Sequence, residues 1–179
     1  MQSQSPIRPA PTLADFTVPL PKKSTVAQVV HAHVPKYLAP AAYLLRLSQL
    51  SLGTDRSFDA FRTELASLPG DYVPPDGCLL LAFIDDMASA CCALRRIGPD
   101  VCEMTRLFVM PKARRNGLGR ALAQAILAFA RQAGYARMRL DTLVSMAPAM
   151  ALCESLGFTR VEPHCDNPSP DAVVFELRL

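Results

Sequence analysis

The sequence predicts an α/β fold of the α+β kind, in which one central mixed sheet of about seven strands, mostly antiparallel, is flanked by about four helices. Three observations predict it. Apolar runs over 78–84, 87–97 and 101–109 are separated only by Asp85-Asp86 and Gly98-Pro99-Asp100, which is the turn chemistry of an antiparallel meander. A basic, glycine-containing turn then leads into an amphipathic helix and another strand, a crossover that is right-handed and makes its two strands parallel. The chain has 179 residues, half of them hydrophobic, which suffices for one well-buried domain and is short for two.

Each element has a local reason. Residues 1–25 carry prolines at 6, 9, 11, 19 and 21 and no continuous apolar stretch, so they read as a flexible tail rather than a secretion signal. A targeting or adaptor-binding role is the other reading of that tail. The single domain then runs from 26 to 179. A first strand over 26–33 stops at Pro35, and it places His31 and His33 on one face, either as a solvated pair or as half of a metal site. No carboxylate or thiol stands at matching spacing, so no metal is expected. Leu38, Ala41, Ala42, Leu45 and Leu52 recur at helical spacing before Gly53. Ser57 caps a second short helix to about residue 68, with Phe58, Phe61, Leu65 and Leu68 on one side. Pro69-Gly-Asp and Pro74-Pro-Asp-Gly77 are turns.

After the meander, a helix over 117–133 shows an apolar stripe of Leu118, Leu122, Ala125, Ile126 and Phe129 and ends at Gly134. A strand over 136–142 follows, then a helix over 146–156 whose last turn is closed by Gly157 and Phe158. Strands at 159–161 and 172–179 complete the sheet.

The totals exclude several classes. A net charge of +3 is too small to argue for nucleic acid, and no aromatic residues are interleaved with the basic ones to stack bases. No run approaches the roughly 18 apolar residues of a membrane span. Six cysteines form no Cys-x-x-Cys pair, and the adjacent Cys91 and Cys92 point to opposite faces of a strand. Reduced, buried thiols in a cytoplasmic protein are the reading.

The stretch around which the chain is organised is Val109-Met-Pro-Lys-Ala-Arg-Arg-Asn-Gly-Leu-Gly-Arg120. A helix opening leaves amides without intrahelical partners at the positive end of its dipole, so it attracts phosphate. Gly117 and Gly119 remove Cβ atoms from that opening, and Lys112, Arg114, Arg115 and Arg120 add positive charge. A dinucleotide fingerprint would need glycine where Leu122 stands, and Gly-Lys-Ser/Thr is absent.

What remains, Arg114-x-x-Gly117-x-Gly119, resembles the pyrophosphate loop of the GNAT superfamily of N-acetyltransferases. Two further patterns match in order and spacing: Cys102-Glu-Met-Thr-Arg-Leu-Phe-Val109 followed by Pro111, and Leu152-Cys-Glu-Ser-Leu-Gly-Phe158. The words Cys102-Glu-Met, Leu140-Asp-Thr-Leu and Asp166-Asn-Pro resemble a bacterial subgroup of small, mostly uncharacterised members. The resemblance covers the chain from about residue 26 onward and implies a splayed sheet with acetyl-coenzyme A as co-substrate. Backbone groups of Leu107, Phe108 and Val109 would pair with the pantetheine arm. Amides of Arg115, Asn116, Gly117, Leu118, Gly119 and Arg120 would receive the pyrophosphate, beside the Arg114 side chain.

The implied reaction is direct acetyl transfer to an amine, which must first lose a proton. Glu103 lies four residues before Leu107, on the same strand face by period two, where the resemblance places a base; the other reading is a carboxylate paired with an arginine such as Arg139. Many members have a tyrosine acid where this chain has Cys153, which either donates a proton or is buried packing. His164 stands in a loop that usually carries tyrosines, and is either an acid or base or simply exposed. The acceptor is an amine-bearing small molecule or peptide. A catalytically weak acyl-coenzyme A-binding module with a regulatory role is the alternative, and the C-terminal strand leaves a homodimer open.

Overall fold

The computed structural model describes residues 14–19, 26–52, 58–162 and 171–179. Its strands are β1 Phe16–Pro19, β2 Val26–His31, β3 Cys78–Ile84, β4 Met87–Arg96, β5 Val101–Val109, β6 Arg137–Leu143, β7 Thr159–Val161 and β8 Ala172–Arg178. Its helices are α1 Pro35–Ser51, α2 Phe58–Ala66, α3 Leu118–Gln132 and α4 Ala147–Ser155. The sheet has eight strands in the order β1-β2-β3-β4-β5-β6-β8-β7. Among the described residues the one parallel pair of neighbours is β5 and β6, which are joined through a crossover helix, α3.

The eighth strand corrects the reading of residues 1–25 as a tail, at least for 16–19. β1 pairs antiparallel with β2 from Phe16↔Val29 to Pro19↔Val26, and the Asp15 carboxylate accepts a hydrogen bond from the His31 amide at 3.1 Å. Pro19 fits because β1 is a sheet edge, where a missing donor costs nothing.

Two apolar layers cover the sheet. On one face lie Leu118, Leu122, Ile126 and Phe129 of α3 and Cys153 of α4, packed on Leu80, Cys92, Leu94, Cys102 and Met104. On the other, Ala41, Leu44 and Leu45 of α1 and Phe61 of α2 pack on Leu79, Leu81, Cys91 and Phe108. Cys91 and Cys92 thus face opposite layers, as strand alternation requires. At the β3–β4 turn, Asp85 (φ 48) and Asp86 (φ 61) are both left-handed, the geometry of a two-residue hairpin. Gly157 (φ 92) closes α4, its amide and that of Phe158 returning to the carbonyls of Glu154 (3.0 Å) and Cys153 (3.1 Å).

The feature that shapes the site is a β-bulge in β5. The register runs Arg95↔Glu103, Leu94↔Met104, Ala93↔Thr105 and resumes as Cys91↔Phe108, so Arg106 and Leu107 together oppose Cys92. Arg106 is the left-handed residue, with φ 57. An extra residue reverses the face parity of everything beyond it. Cys102 and Met104 face α3 before the bulge, and Leu107 and Val109 pack on that same face after it.

Candidate active site

The sheet opens where β5 meets β6. Their pairing covers Val101↔Arg137, Cys102↔Met138 and Glu103↔Arg139 and then stops, while β6 stays paired to β8 as far as Leu143↔Ala172. Residues 104–109 therefore have no strand on their β6 side among the described residues. Hydrogen bonding in an antiparallel ladder alternates. The Met110 amide donates to the Ser89 carbonyl at 2.9 Å, so alternation gives Phe108 to the β4 ladder and turns the Val109 backbone into the gap. Arg106 and Leu107 oppose Cys92, whose backbone groups alternate toward β3, and so lie outside the β4 ladder.

The gap leads to the basic turn. A 3-10 turn, Pro111–Ala113, is followed by Arg115 (φ 63) and Gly117 (φ 76), both left-handed, and α3 starts at Leu118. Among the described residues no side chain caps this helix, and no acidic residue occupies its first turn; its first internal bond runs from the Ala121 amide to the Gly117 carbonyl at 3.0 Å. The amides of Leu118, Gly119 and Arg120 are left without intrahelical partners, an arrangement able to receive an anion. Buried Leu118 anchors the turn, while Lys112, Arg114, Arg115 and Arg120 are exposed. Arg114 Nε donates to the Val109 carbonyl (3.0 Å), Arg120 Nη2 to Ser155 Oγ (2.7 Å) and Asn116 Nδ2 to the Ala113 carbonyl (3.4 Å), so these side chains also brace the loop.

The two glycines have different reasons. Around Gly117 an added Cβ would meet nothing within 4 Å, so its requirement is the left-handed backbone. At Gly119 a Cβ would point between Val109 Cγ2 (3.5 Å) and Leu152 Cδ2 (3.9 Å), toward the end of β5 and α4.

Glu103 faces the α1 and α2 layer, since its neighbours Cys102 and Met104 face α3. The expectation that it shares a face with Leu107 is overturned by the bulge between them. Its partner is Arg95, directly opposite on β4, with Nε 2.6 Å from Oε2; Arg139 instead binds Glu176 at 2.7 Å. Burial raises the Glu103 carboxyl above its usual range, Arg95 pulls against that rise, and Asp141 adds to it.

Beside Glu103 lies a cluster that the motifs did not indicate. Arg106 Nε donates to Glu64 Oε1 at 2.9 Å and Nη2 to Glu64 Oε2, Nη1 donates to Gln49 Oε1 at 3.1 Å, and the guanidinium lies 4.9 Å over the Phe61 ring. The Tyr72 hydroxyl donates to Glu64 Oε1 at 2.7 Å, and burial together with that carboxylate raises the Tyr72 pKa. A cleft of about 200 Å³ is lined here by Thr63, Glu64, Asp71, Tyr72 and Arg95.

Cys153 is buried in the α3 layer, and burial pushes its thiol up to about 11. It is therefore a neutral thiol packed in the core. His164 lies outside the described residues. Among those residues no group of three or more side chains is arranged to hold a metal, and no helix is long and apolar enough to cross a membrane.

Comparisons with known proteins agree with this geometry. The model of the Acetyltransferase (GNAT) family matches residues 43–158. An uncharacterized N-acetyltransferase of Schizosaccharomyces pombe is 38% identical over 129 residues, covering 71% of this chain and 79% of its own. Being fungal, it carries the resemblance beyond the bacterial subgroup. A crystal structure of an acetyltransferase from Streptococcus agalactiae superposes with a TM-score of 0.72 at 22% identity, over 86% of this chain and 98% of that one. A GNAT family acetyltransferase from Elizabethkingia anophelis, solved with acetyl-CoA bound, superposes with a TM-score of 0.60 at 18% identity, over 86% and 98% of the two chains. With the splayed β5–β6 gap, the uncapped α3 and the family model spanning both, the chain belongs to the GNAT family of acetyltransferases.

Proposed function

We propose that the protein is an N-acetyltransferase that moves an acetyl group from acetyl-coenzyme A to an amine acceptor by direct transfer, with Glu103 as general base. The observation that carries this reading is the continuity of the β5–β6 gap with the open N-terminus of α3, which gives an extended arm and its diphosphate one path across the molecule. The family membership and the acetyl-CoA-bound relative from Elizabethkingia anophelis support the same ligand. The co-substrate supplies an acetyl thioester. The chain supplies the rest: amides of the α3 opening bind the diphosphate through charge-assisted bonds of about 1.5–3 kcal/mol each. The Leu107 amide, outside the β4 ladder, polarises the thioester carbonyl.

An alkylammonium with a pKa near about 10 must lose its proton before attack. Glu103 accepts it, and its elevated carboxyl pKa brings base strength closer to working pH than an ordinary glutamate offers. The nitrogen then bonds to the acetyl carbon, the carbon–sulfur bond breaks, and the departing thiolate takes a proton from solvent, Cys153 being packed in the core. Acceptors reach Glu103 from the α1 and α2 side, where the cleft beside Arg95 and Tyr72 fits a small amine or a peptide end.

Calorimetric titration with acetyl-coenzyme A and its 3′-dephospho form, followed by a thiol-release assay over a broad amine panel, tests the reading. Micromolar binding with amine-dependent release supports it. Binding without release favours the regulatory acyl-coenzyme A-binding module, and no binding by folded protein removes both.

A further inference from the structure

The β5 bulge is fastened by its own left-handed residue. An L residue at φ 57 is held there only if its surroundings over-determine it. Both ends of Arg106 are fixed. Its carbonyl accepts from Cys91 Sγ at 3.2 Å, and its guanidinium reaches α1 through Gln49 Oε1 (3.1 Å) and α2 through both oxygens of Glu64. The stacking on Phe61 and the Tyr72 bond to Glu64 extend the fastening to a second α2 residue and to the 67–77 turn. Both partners are mostly buried, at 17% and 18% side-chain exposure for Arg106 and Glu64, so solvent competes weakly for these bonds.

We propose that Arg106 is a positioning residue for acetyl transfer: latched to Glu64, Gln49 and Tyr72, it holds the Leu107 amide in the β5–β6 gap and couples that amide to the wall of the acceptor cleft. The inference rests on the acetyl-transfer reading of the same site. A bulge alone would need no such set of donors. The same Glu64 and Tyr72 that fasten Arg106 also line the cleft, so an acceptor seated there leans on the residues that fix the carbonyl-polarising amide. Lysine cannot replace this side chain, because a single ammonium does not span two carboxylate oxygens and an amide at once.

The test compares Arg106→Lys and the milder Glu64→Gln with the parent, by steady-state kinetics and by amide hydrogen exchange without ligand. Arg106→Lys is expected to lower kcat by 10- to 100-fold while KM for acetyl-coenzyme A stays within threefold, and to speed exchange over residues 105–109 at least tenfold with α3 unchanged. Glu64→Gln should show the same split at 3- to 10-fold, and the double variant should be no slower than Arg106→Lys alone. Should Arg106→Lys fail to fold, the Glu64→Gln split decides by itself. A parent-like kcat, or a kcat loss matched by an equal rise in KM for acetyl-coenzyme A, overturns the latch. If the parent itself transfers no acetyl group, the transfer reading fails and exchange judges the latch: unchanged exchange over 105–109 overturns it.

Discussion

Arg95 and Glu103 stand directly opposite each other on β4 and β5, with Nε 2.6 Å from Oε2, and both point toward α1 and α2 rather than toward α3. Glu103 is only 17% exposed, whereas Arg95 at 42% reaches into the neighbouring cleft. Two effects meet on the carboxyl, since burial penalises its charge while the guanidinium rewards it, and burial is the larger. In the proposed reaction Arg95 tunes the base from the acceptor side.

Replacing Arg95 with Gln removes the main influence that lowers the Glu103 pKa. The acid limb of the kcat/KM profile should then move to higher pH, because the carboxylate form becomes available later in a titration. Arg95→Lys, which keeps a charge nearby, should move it less. Profiles of the parent and both variants from pH 5 to 9 check this, and superimposable limbs would remove Arg95 from the site.

Glu103→Gln should lower turnover by about 10²- to 10⁴-fold, the usual range for a positioned base, with acetyl-coenzyme A affinity within twofold. Stability gives an independent readout. A carboxyl whose folded pKa is raised contributes stability below its unfolded value near about 4.3, and that contribution is lost as pH rises through the folded pKa. Denaturant midpoints of the parent should therefore fall relative to those of Glu103→Gln across that interval. A constant difference at all pH values would contradict the direction of the shift.

The meander was readable because Asp85-Asp86 and Gly98-Pro99-Asp100 bound its strands, and α3 because Leu118, Leu122, Ile126 and Phe129 form one stripe. β1 was hidden among prolines, whose tolerance at a sheet edge depends on which strand lies outermost. The bulge left no mark either: Leu107-Phe108-Val109 is continuously apolar, and each face parity suits it equally well. Choosing Arg95 over Arg139 as the partner of Glu103 needs the strand register, which the turn between Ile97 and Val101 sets. Tyr72 and Glu64 come together only because the 67–77 turn folds back on α2, and turn residues report a change of direction rather than a destination.

Gly117 and Gly119 should respond differently to the same substitution. Gly117→Ala meets no atom within 4 Å but forces alanine to φ 76, which costs on the order of 1–2 kcal/mol. Gly119→Ala makes only ordinary contacts with Val109 and Leu152, so it should fold as well as the parent. Gly119→Glu brings a negative charge to the α3 opening and should weaken acetyl-coenzyme A binding at least 100-fold. Thermal melts and calorimetry on the three variants check this, and parent-like affinity in folded Gly119→Glu would displace the diphosphate from that opening.

Cys153 stands where many members of the family carry a tyrosine, yet its surroundings make it part of the core. It is buried against the α3 layer, its thiol is pushed up to about 11, and the strands beneath supply Cys78 and Cys92 as further buried thiols. Such a group is protonated throughout the working range, and its place in the core fits a packing role. Cys153→Ala should keep kcat within about twofold and lose on the order of 1 kcal/mol of stability, the cost of removing one buried heavy atom. Cys153→Ser should be the less stable of the two, because it buries a hydroxyl where the thiol packed as a small apolar group. Turnover measured beside urea midpoints separates the roles: a loss of kcat in Cys153→Ala that exceeds tenfold and is restored by serine would make the side chain a proton donor after all.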